Sequence, residues 1–80
     1  MNIVSFNQII ELNQLIQEKD LQFKVHIRDA CGAQSFFIEQ LGNSNSIVLN
    51  EEIYETIDQY FKNNKMTVIY HENKHNFTIK

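Results

Sequence analysis

The sequence predicts a single α+β domain in which one helix and two strands are followed by the same three elements again. Two periodicities support this order. Apolar residues recur every three or four positions in 5–18 and 50–64, and they alternate with polar residues in 21–28; shorter runs typical of strands lie in 34–39, 66–70 and 76–79. The first spacing is typical of an amphipathic helix and the second of a half-buried strand. Because 80 residues can bury only one hydrophobic core, we expect one domain over residues 1–80.

The first unit begins with a capped helix. The Ser5 hydroxyl can accept a hydrogen bond from the first helical turn while the Gln8 side chain bonds back to the Ser5 amide, which is the capping-box pattern. A strand over 21–28 follows, with apolar residues at odd positions and polar residues at even ones, and 34–39 is its hairpin partner. The predicted buried positions of the helix are Ile9, Leu12, Leu15 and Ile16, with Ile10 beside them.

The second unit repeats this pattern after a polar loop. Asn50 is the predicted cap of the second helix, which ends near Asn63, and a shift of 45 residues places Leu12 on Ile57 and Leu21 on Met66. The match could result from a duplication, or from two amphipathic units that have to pack in the same way. We expect two αββ units forming a four-stranded, largely antiparallel sheet with two helices on one face, a circular permutation of the ferredoxin-like pattern. Two hairpins exchanged between the chains of a dimer are the alternative.

The composition narrows the classes of function. A net charge of −3 argues against a general nucleic-acid binder, which needs a clustered basic surface. The single cysteine cannot form an internal disulfide and suits a reducing compartment, and no apolar run is long enough to span a membrane. We therefore expect a cytoplasmic protein with neither a membrane nor a nucleic-acid partner, and we predict no cofactor.

Strand parity predicts which residues lie on the sheet face that the helices leave open. This face is polar apart from Phe37 and Ile69, and such apolar spots are either ordinary surface residues or part of a contact surface. The second interpretation predicts a homodimer or another protein partner. The candidate interaction face consists of His26, Phe37, Ile69 and His71.

Residues 27–36 contain the only arginine, the only cysteine and one of the two glycines. Cys31 could be a reactive thiol whose pKa is lowered by the arginine, or a metal ligand together with His71 and His75, or simply a turn residue. Asp29 could brace the turn through its own backbone. The thiol hypothesis lacks a well-placed base and the metal hypothesis lacks a complete set of ligands, so we assign no catalytic residue and no metal ligand. The candidate functional loop consists of Arg28, Asp29, Cys31, Gly32, Gln34 and Ser35.

The same segment carries a family resemblance. Arg28-Asp29-Ala30-Cys31-Gly32, followed by Gln34-Ser35-Phe36, resembles the motif of the RDAC family, small proteins of low-GC bacteria that are named for it. The likeness runs over nearly the whole chain, from Ile3 to Lys62. It implies a common fold and a role for the hairpin loop, but it implies no reaction and no catalytic residue.

These observations support one leading hypothesis for the function and two alternatives. The leading hypothesis is a small non-enzymatic binding or regulatory protein that acts through protein–protein contacts. The first alternative is a thiol- or metal-dependent activity centred on Cys31. The second is a phage- or mobile-element-type acidic inhibitor that masks a nucleic-acid-binding protein.

Overall fold

A computed structural model describes residues 3–30, 33–41 and 51–80 of the chain. The predicted polar loop after Leu41 and the predicted Asn50 cap lie outside these residues. Neither of the two 13-residue helices in the described part of the chain has the length and apolar character that crossing a membrane requires. The elements are α1 (Phe6–Glu18), β1 (Phe23–Ala30), β2 (Ala33–Gln40), α2 (Glu51–Asn63), β3 (Val68–Tyr70) and β4 (Asn76–Ile79).

The four strands form one sheet in the order β1-β2-β4-β3, and every neighbouring pair is antiparallel. This is the order that results when the first strand of a ferredoxin-like fold is moved to the end of the chain. The predicted fold class is therefore confirmed. Strands β1 and β3 are the two edges. The sheet is pseudo-symmetric, because exchanging β1 with β3 and β2 with β4 gives the same strand order counted from the other edge.

Helix α1 begins as the sequence predicts. The Ser5 hydroxyl accepts from the Gln8 backbone N–H at 3.2 Å, and the Gln8 side-chain oxygen accepts from the Ser5 N–H at 2.9 Å. Ser5 itself is extended, with φ −85° and ψ 160°, as a helix cap requires. Two of the amides that the first helical turn leaves unpaired are thus satisfied within the segment.

Both helices end in the same hydrogen-bonded motif. In α1, Leu21 N–H donates to the Ile16 carbonyl at 3.1 Å and Asp20 N–H to Gln17 at 3.0 Å, with Asp20 at φ 58°. These are the two bonds of a Schellman motif. In α2 every position is shifted by 45 residues: Met66 bonds to Phe61 at 2.8 Å and Lys65, at φ 62°, bonds to Lys62 at 3.0 Å. The repeat predicted from the sequence therefore extends to the geometry of the helix ends.

The core lies between the helices and one face of the sheet, and three phenylalanines form its centre. The rings of Phe36 and Phe77 stack at 5.1 Å between β2 and β4, and Phe61 of α2 approaches them at 6.3 and 6.1 Å. The prediction that Leu15 is buried is wrong, since Leu15 is 38% exposed; Ile10, beside the predicted stripe, is 54% exposed. Helix α1 buries a narrower stripe because only Ile9, Leu12 and Ile16 lie over the core.

The β1–β2 hairpin is longer than the alternation of the sequence predicts. Its register runs without interruption from Phe23 opposite Gln40 to Ala30 opposite Ala33. The described residues of the candidate functional loop therefore lie in strands: Arg28 and Asp29 in β1, Gln34 and Ser35 in β2. Arg28, Gln34 and Ser35 are thus in the strands predicted over 21–28 and 34–39, whereas Asp29, expected in the turn, belongs to β1 because backbone pairing continues past the alternating pattern. Cys31 and Gly32 lie outside the described residues.

Candidate functional site: the open sheet face

The face of the sheet opposite the helices carries a cluster of four side chains from β1 and β2. His26 lies directly opposite Phe37, and the two rings stack with centroids 4.6 Å apart and planes at 14°. The Arg28 guanidinium carbon lies 5.5 Å from the centre of the same Phe37 ring. On the other side, His26 Nε2 is 2.7 Å from Glu39 Oε1. We call His26, Arg28, Phe37 and Glu39 the face cluster.

The register of the hairpin explains why these side chains meet. Facing residues of an antiparallel pair have their Cβ atoms about 4.5–5.5 Å apart, and diagonal neighbours remain within reach of long side chains. His26 and Phe37 are a facing pair, whereas Arg28 and Glu39 are the diagonal neighbours of Phe37 and His26 respectively. One uninterrupted hairpin is therefore sufficient to build the cluster.

The chemistry of the face cluster suits contact with another molecule better than it suits stabilising the fold. The His26 and Glu39 side chains are 33% and 49% exposed, and ion pairs at this exposure contribute about 0–1 kcal/mol. The contact is an ion pair only while the imidazole is protonated. The Arg28 guanidinium and the His26 imidazole both lie close to the Phe37 ring. These two contacts hold the apolar ring in a fixed orientation on the sheet face.

The other two residues of the candidate interaction face are at the opposite edge of the sheet. Ile69 lies in edge strand β3 opposite Thr78 and is 45% exposed. His71 follows this strand, and its N–H donates to the Asn76 carbonyl at 2.9 Å. Since Asn76 is itself opposite Phe37, strand β4 separates Phe37 from His71. Two strand spacings amount to about 10 Å, so these residues share the sheet with the face cluster without touching it.

The remaining candidate residues of the motif divide between the two faces. Ser35 is opposite Arg28 and belongs to the open face, whereas Asp29 and Gln34 are opposite each other on the helix side. Gln34 uses its side-chain amide to bind the backbone of Val4: its Nε2 donates to the carbonyl and its Oε1 accepts from the N–H, both at 2.9 Å. Gln34 therefore braces the segment before α1.

The histidines near β4 do not approach the β1–β2 turn. Ile38 N–H donates to the His75 carbonyl at 2.7 Å, which places His75 beside the second half of β2. Ala33, at the start of β2, is five residues earlier, or about 17 Å along an extended strand. The end of the first hairpin at Ala30 and Ala33 and the β3–β4 turn thus lie at opposite ends of the sheet, which keeps His75 away from the described residues that flank Cys31 in the sequence. In the described ranges no three His, Cys, Asp or Glu side chains are close enough to hold a metal ion.

Glu39 has the strand parity of the open face, but the candidate interaction face predicted from the sequence does not include it. Its pairing with His26 follows from the hairpin register, and the signal was present in the sequence. A two-residue connection between Ala30 and Ala33 fixes every facing pair, including Lys24 with Glu39 and hence the diagonal to His26.

Comparisons of this chain with protein-family models, with curated proteins and with solved structures find no match.

Proposed function

We propose that this chain is a small non-enzymatic binding or regulatory module that acts through protein–protein contacts, and that the open sheet face is its contact surface. The observation that carries the proposal is the Phe37 ring, held against His26 and Arg28 on the sheet face opposite the helices. Aromatic residues and arginine are the side chains most enriched at the centres of protein interfaces.

The fixed geometry of the face cluster supports a binding role. Ordering a mobile side chain on association costs about 0.5–1.5 kcal/mol, and this cost is smaller where neighbours already hold the side chain. Phe37 is half-buried and stacked before any partner arrives. Arg28 and Glu39, the charged groups around Phe37, would orient the partner by pairing with its opposite charges.

The partner that we propose first is a second copy of the chain. Two open faces that pack across a two-fold axis form a sheet-on-sheet interface, and each Phe37 then covers part of the opposite sheet. We further propose that the module works in the cytoplasm and that it shares its architecture with the RDAC family through the hairpin that contains the Arg28 to Phe36 motif.

Light scattering after size-exclusion chromatography tests this proposal over a range of concentrations. We expect the wild type to be a dimer at high concentration and Phe37→Asp to be a monomer, since the carboxylate would be buried unpaired in the interface. Leu15→Asp is the matched control, because Leu15 is an exposed apolar residue of α1. A wild type that stays monomeric at every concentration, with no change in Phe37→Asp, would contradict the proposed dimer.

A further inference from the structure

The outer edge of β1 is a second surface on which the chain offers hydrogen-bonding groups. In an antiparallel hairpin the backbone groups of alternate residues point to the partner strand and those of the residues between them point outward. The Asn13 side chain identifies the outward set, because its Oδ1 accepts from Val25 N–H at 2.8 Å and its Nδ2 donates to the Val25 carbonyl at 3.0 Å. Asn13 therefore occupies the position of a neighbouring strand at Val25.

Ile27 and Asp29, further along β1, orient their backbone groups in the same direction as Val25. Ile27 and Asp29 share the parity of Val25 in an uninterrupted register, so their N–H and C=O groups also point away from β2. Within the described part of the chain, no residue outside the strand ladder hydrogen-bonds to the backbone of either. Unpaired backbone groups along an edge strand are a template for the addition of another strand.

Helix α1 places two exposed apolar side chains beside this free edge. Phe6 and Ile10 are 70% and 54% exposed and precede Asn13 on the same helical stripe. The helix runs antiparallel to β1, because Val4 binds Gln34 opposite Asp29 whereas Asn13 binds Val25. At a rise of about 1.5 Å per helical residue and about 3.3 Å per strand residue, Ile10 lies level with the segment between His26 and Ile27, and Phe6 lies level with Arg28, between Ile27 and Asp29.

The open-face side of the same edge is basic. Lys24, His26 and Arg28 alternate along β1 and are the three residues between the outward-pointing ones. A strand added to this edge would therefore meet Ile27 and the Asp29 carboxylate on its helix side, with Ile10 and Phe6 beside them. On its open-face side it would meet Lys24, Arg28 and the His26 imidazole. Opposite charges that face each other across a strand pair contribute about 0.2–1 kcal/mol for each pair.

We propose that the edge of β1 at Ile27 and Asp29 binds an extended segment of another protein in which apolar and acidic residues alternate. The segment adds a fifth strand to the sheet, and its backbone pairs with Ile27 and Asp29. Its apolar side chains lie on Ile10 and Phe6, and its carboxylates lie opposite Arg28 and His26. Asn13 limits the new ladder at its Val25 end.

A second copy of β1 fits this edge poorly. Antiparallel pairing across a two-fold axis at Arg28 would place two guanidinium groups opposite each other, and an axis at Asp29 would do the same to two carboxylates. An axis at Ile27 would require the backbone groups of Val25, which Asn13 already occupies. The charges and the Asn13 brace thus favour a different chain as the added strand.

Binding of two synthetic peptides to the full chain tests the proposal. One is a short capped peptide of alternating valine and glutamate, and the other has lysine in place of glutamate. We expect the glutamate peptide to bind at least about tenfold more tightly, since it replaces like-charge pairs with opposite-charge pairs. Amide hydrogen exchange by NMR should show new protection at Ile27 and Asp29 in the complex.

Two substitutions locate the site. Asp29→Pro removes an outward N–H without removing a bond of the β1–β2 ladder, and proline is tolerated at such edge positions; Asp29→Ala is its control. Ile10→Lys should also weaken binding of the glutamate peptide, whereas Leu15→Lys, at an exposed apolar position elsewhere on α1, should not. Circular dichroism of each variant checks that the fold is retained.

Three results would overturn the proposal: equal affinity for the two peptides, no protection of Ile27 and Asp29, or protection that appears without peptide as the protein concentration rises. The last result would identify a second copy as the occupant. The edge shares Arg28 and His26 with the Phe37 surface, but the two proposals are tested by different measurements: the mass of the wild type in solution, and peptide-induced protection of Ile27 and Asp29. Either proposal can therefore fail while the other holds.

Discussion

The side-chain amide of Gln34 pairs with both polar groups of the Val4 backbone, 30 residues earlier in the chain. The two hydrogen bonds are each 2.9 Å long, and they reproduce what a neighbouring strand would provide. Val4 is buried, so its amide and carbonyl have little access to water. The pair attaches the segment before α1 to the start of β2, and Asn13 attaches the middle of α1 to Val25 of β1 in the same manner.

Gln34→Ala should lower the free energy of unfolding by about 1–3 kcal/mol, because it leaves a buried donor and a buried acceptor without partners. Gln34→Glu should cost at least as much, since its carboxylate still accepts from the Val4 N–H but is repelled by the Val4 carbonyl oxygen and by the Asp29 carboxylate opposite it. Urea denaturation measures both changes. Gln14→Ala, at an exposed position of α1, is the control and should change stability by less than about 0.5 kcal/mol. Equal stability of Gln34→Ala and the wild type would show that water replaces the brace.

Lys65→Gly should stabilise the protein. Lys65 ends α2 with φ at 62°, a region in which a side chain costs about 1–2 kcal/mol and glycine costs nothing. Glycine also increases the entropy of the unfolded chain, so we expect a net gain of about 0.5–1 kcal/mol, measured as a higher midpoint of urea denaturation. Lys62→Gly, inside the last helical turn, should instead cost about 1 kcal/mol. A loss of stability in Lys65→Gly would contradict the argument.

The elements that the sequence predicts well are those whose cause is local. The Ser5–Gln8 cap and the alternation of β1 each depend on residues within a few positions of one another, and both are observed, together with the buried Ile9, Leu12 and Ile16 of α1. The length of the β1–β2 hairpin is harder to predict from the sequence. Asp29 has low strand propensity, and it is in β1 because the ladder with β2 extends as far as the turn allows.

The predictions that failed concern contacts between distant parts of the chain. Nothing near Gln34 in sequence indicates that its partner is Val4. Ile10 and Leu15 lie on opposite flanks of the buried stripe of α1, and both are exposed because only Ile9, Leu12 and Ile16 lie over the core. Residues 27–36 are predicted as a functional segment because they contain rare residue types. The contacts of the face cluster depend instead on strand register, and they include Glu39, which lies outside that segment.

Phe61→Ala should bring the protein close to unfolding. Phe61 is fully buried against Phe36 and Phe77, and loss of a buried phenylalanine side chain costs about 3–5 kcal/mol. A domain of this size has a total stability of only about 4–12 kcal/mol. Phe6→Ala makes the same chemical change at a 70% exposed position and should alter the urea midpoint little. A similar loss in both variants would place Phe6 in the core and remove it from the proposed edge site.

The stability of the protein should fall as the pH rises above about 10, the ordinary pKa of tyrosine. Burial raises the pKa of Tyr60, and the bond from its hydroxyl to Glu11 at 2.7 Å raises it further. Burial and a bond to Asp58 at 2.9 Å raise the pKa of Tyr70 in the same way. In this pH range the unfolded chain releases the two phenolic protons while the native chain retains them, so the free energy of unfolding decreases.

Tyr60→Phe separates this effect from other sources of alkaline unfolding. The variant should be less stable than the wild type at neutral pH, because it loses the hydrogen bond to Glu11, but its stability should fall less steeply above about pH 10. Adding Tyr70→Phe should flatten the dependence further. Urea denaturation at a series of pH values measures the slopes. If the slope of Tyr60→Phe equals that of the wild type, the Tyr60 phenol titrates alike in the folded and unfolded chains, and its bond to Glu11 does not hold the proton.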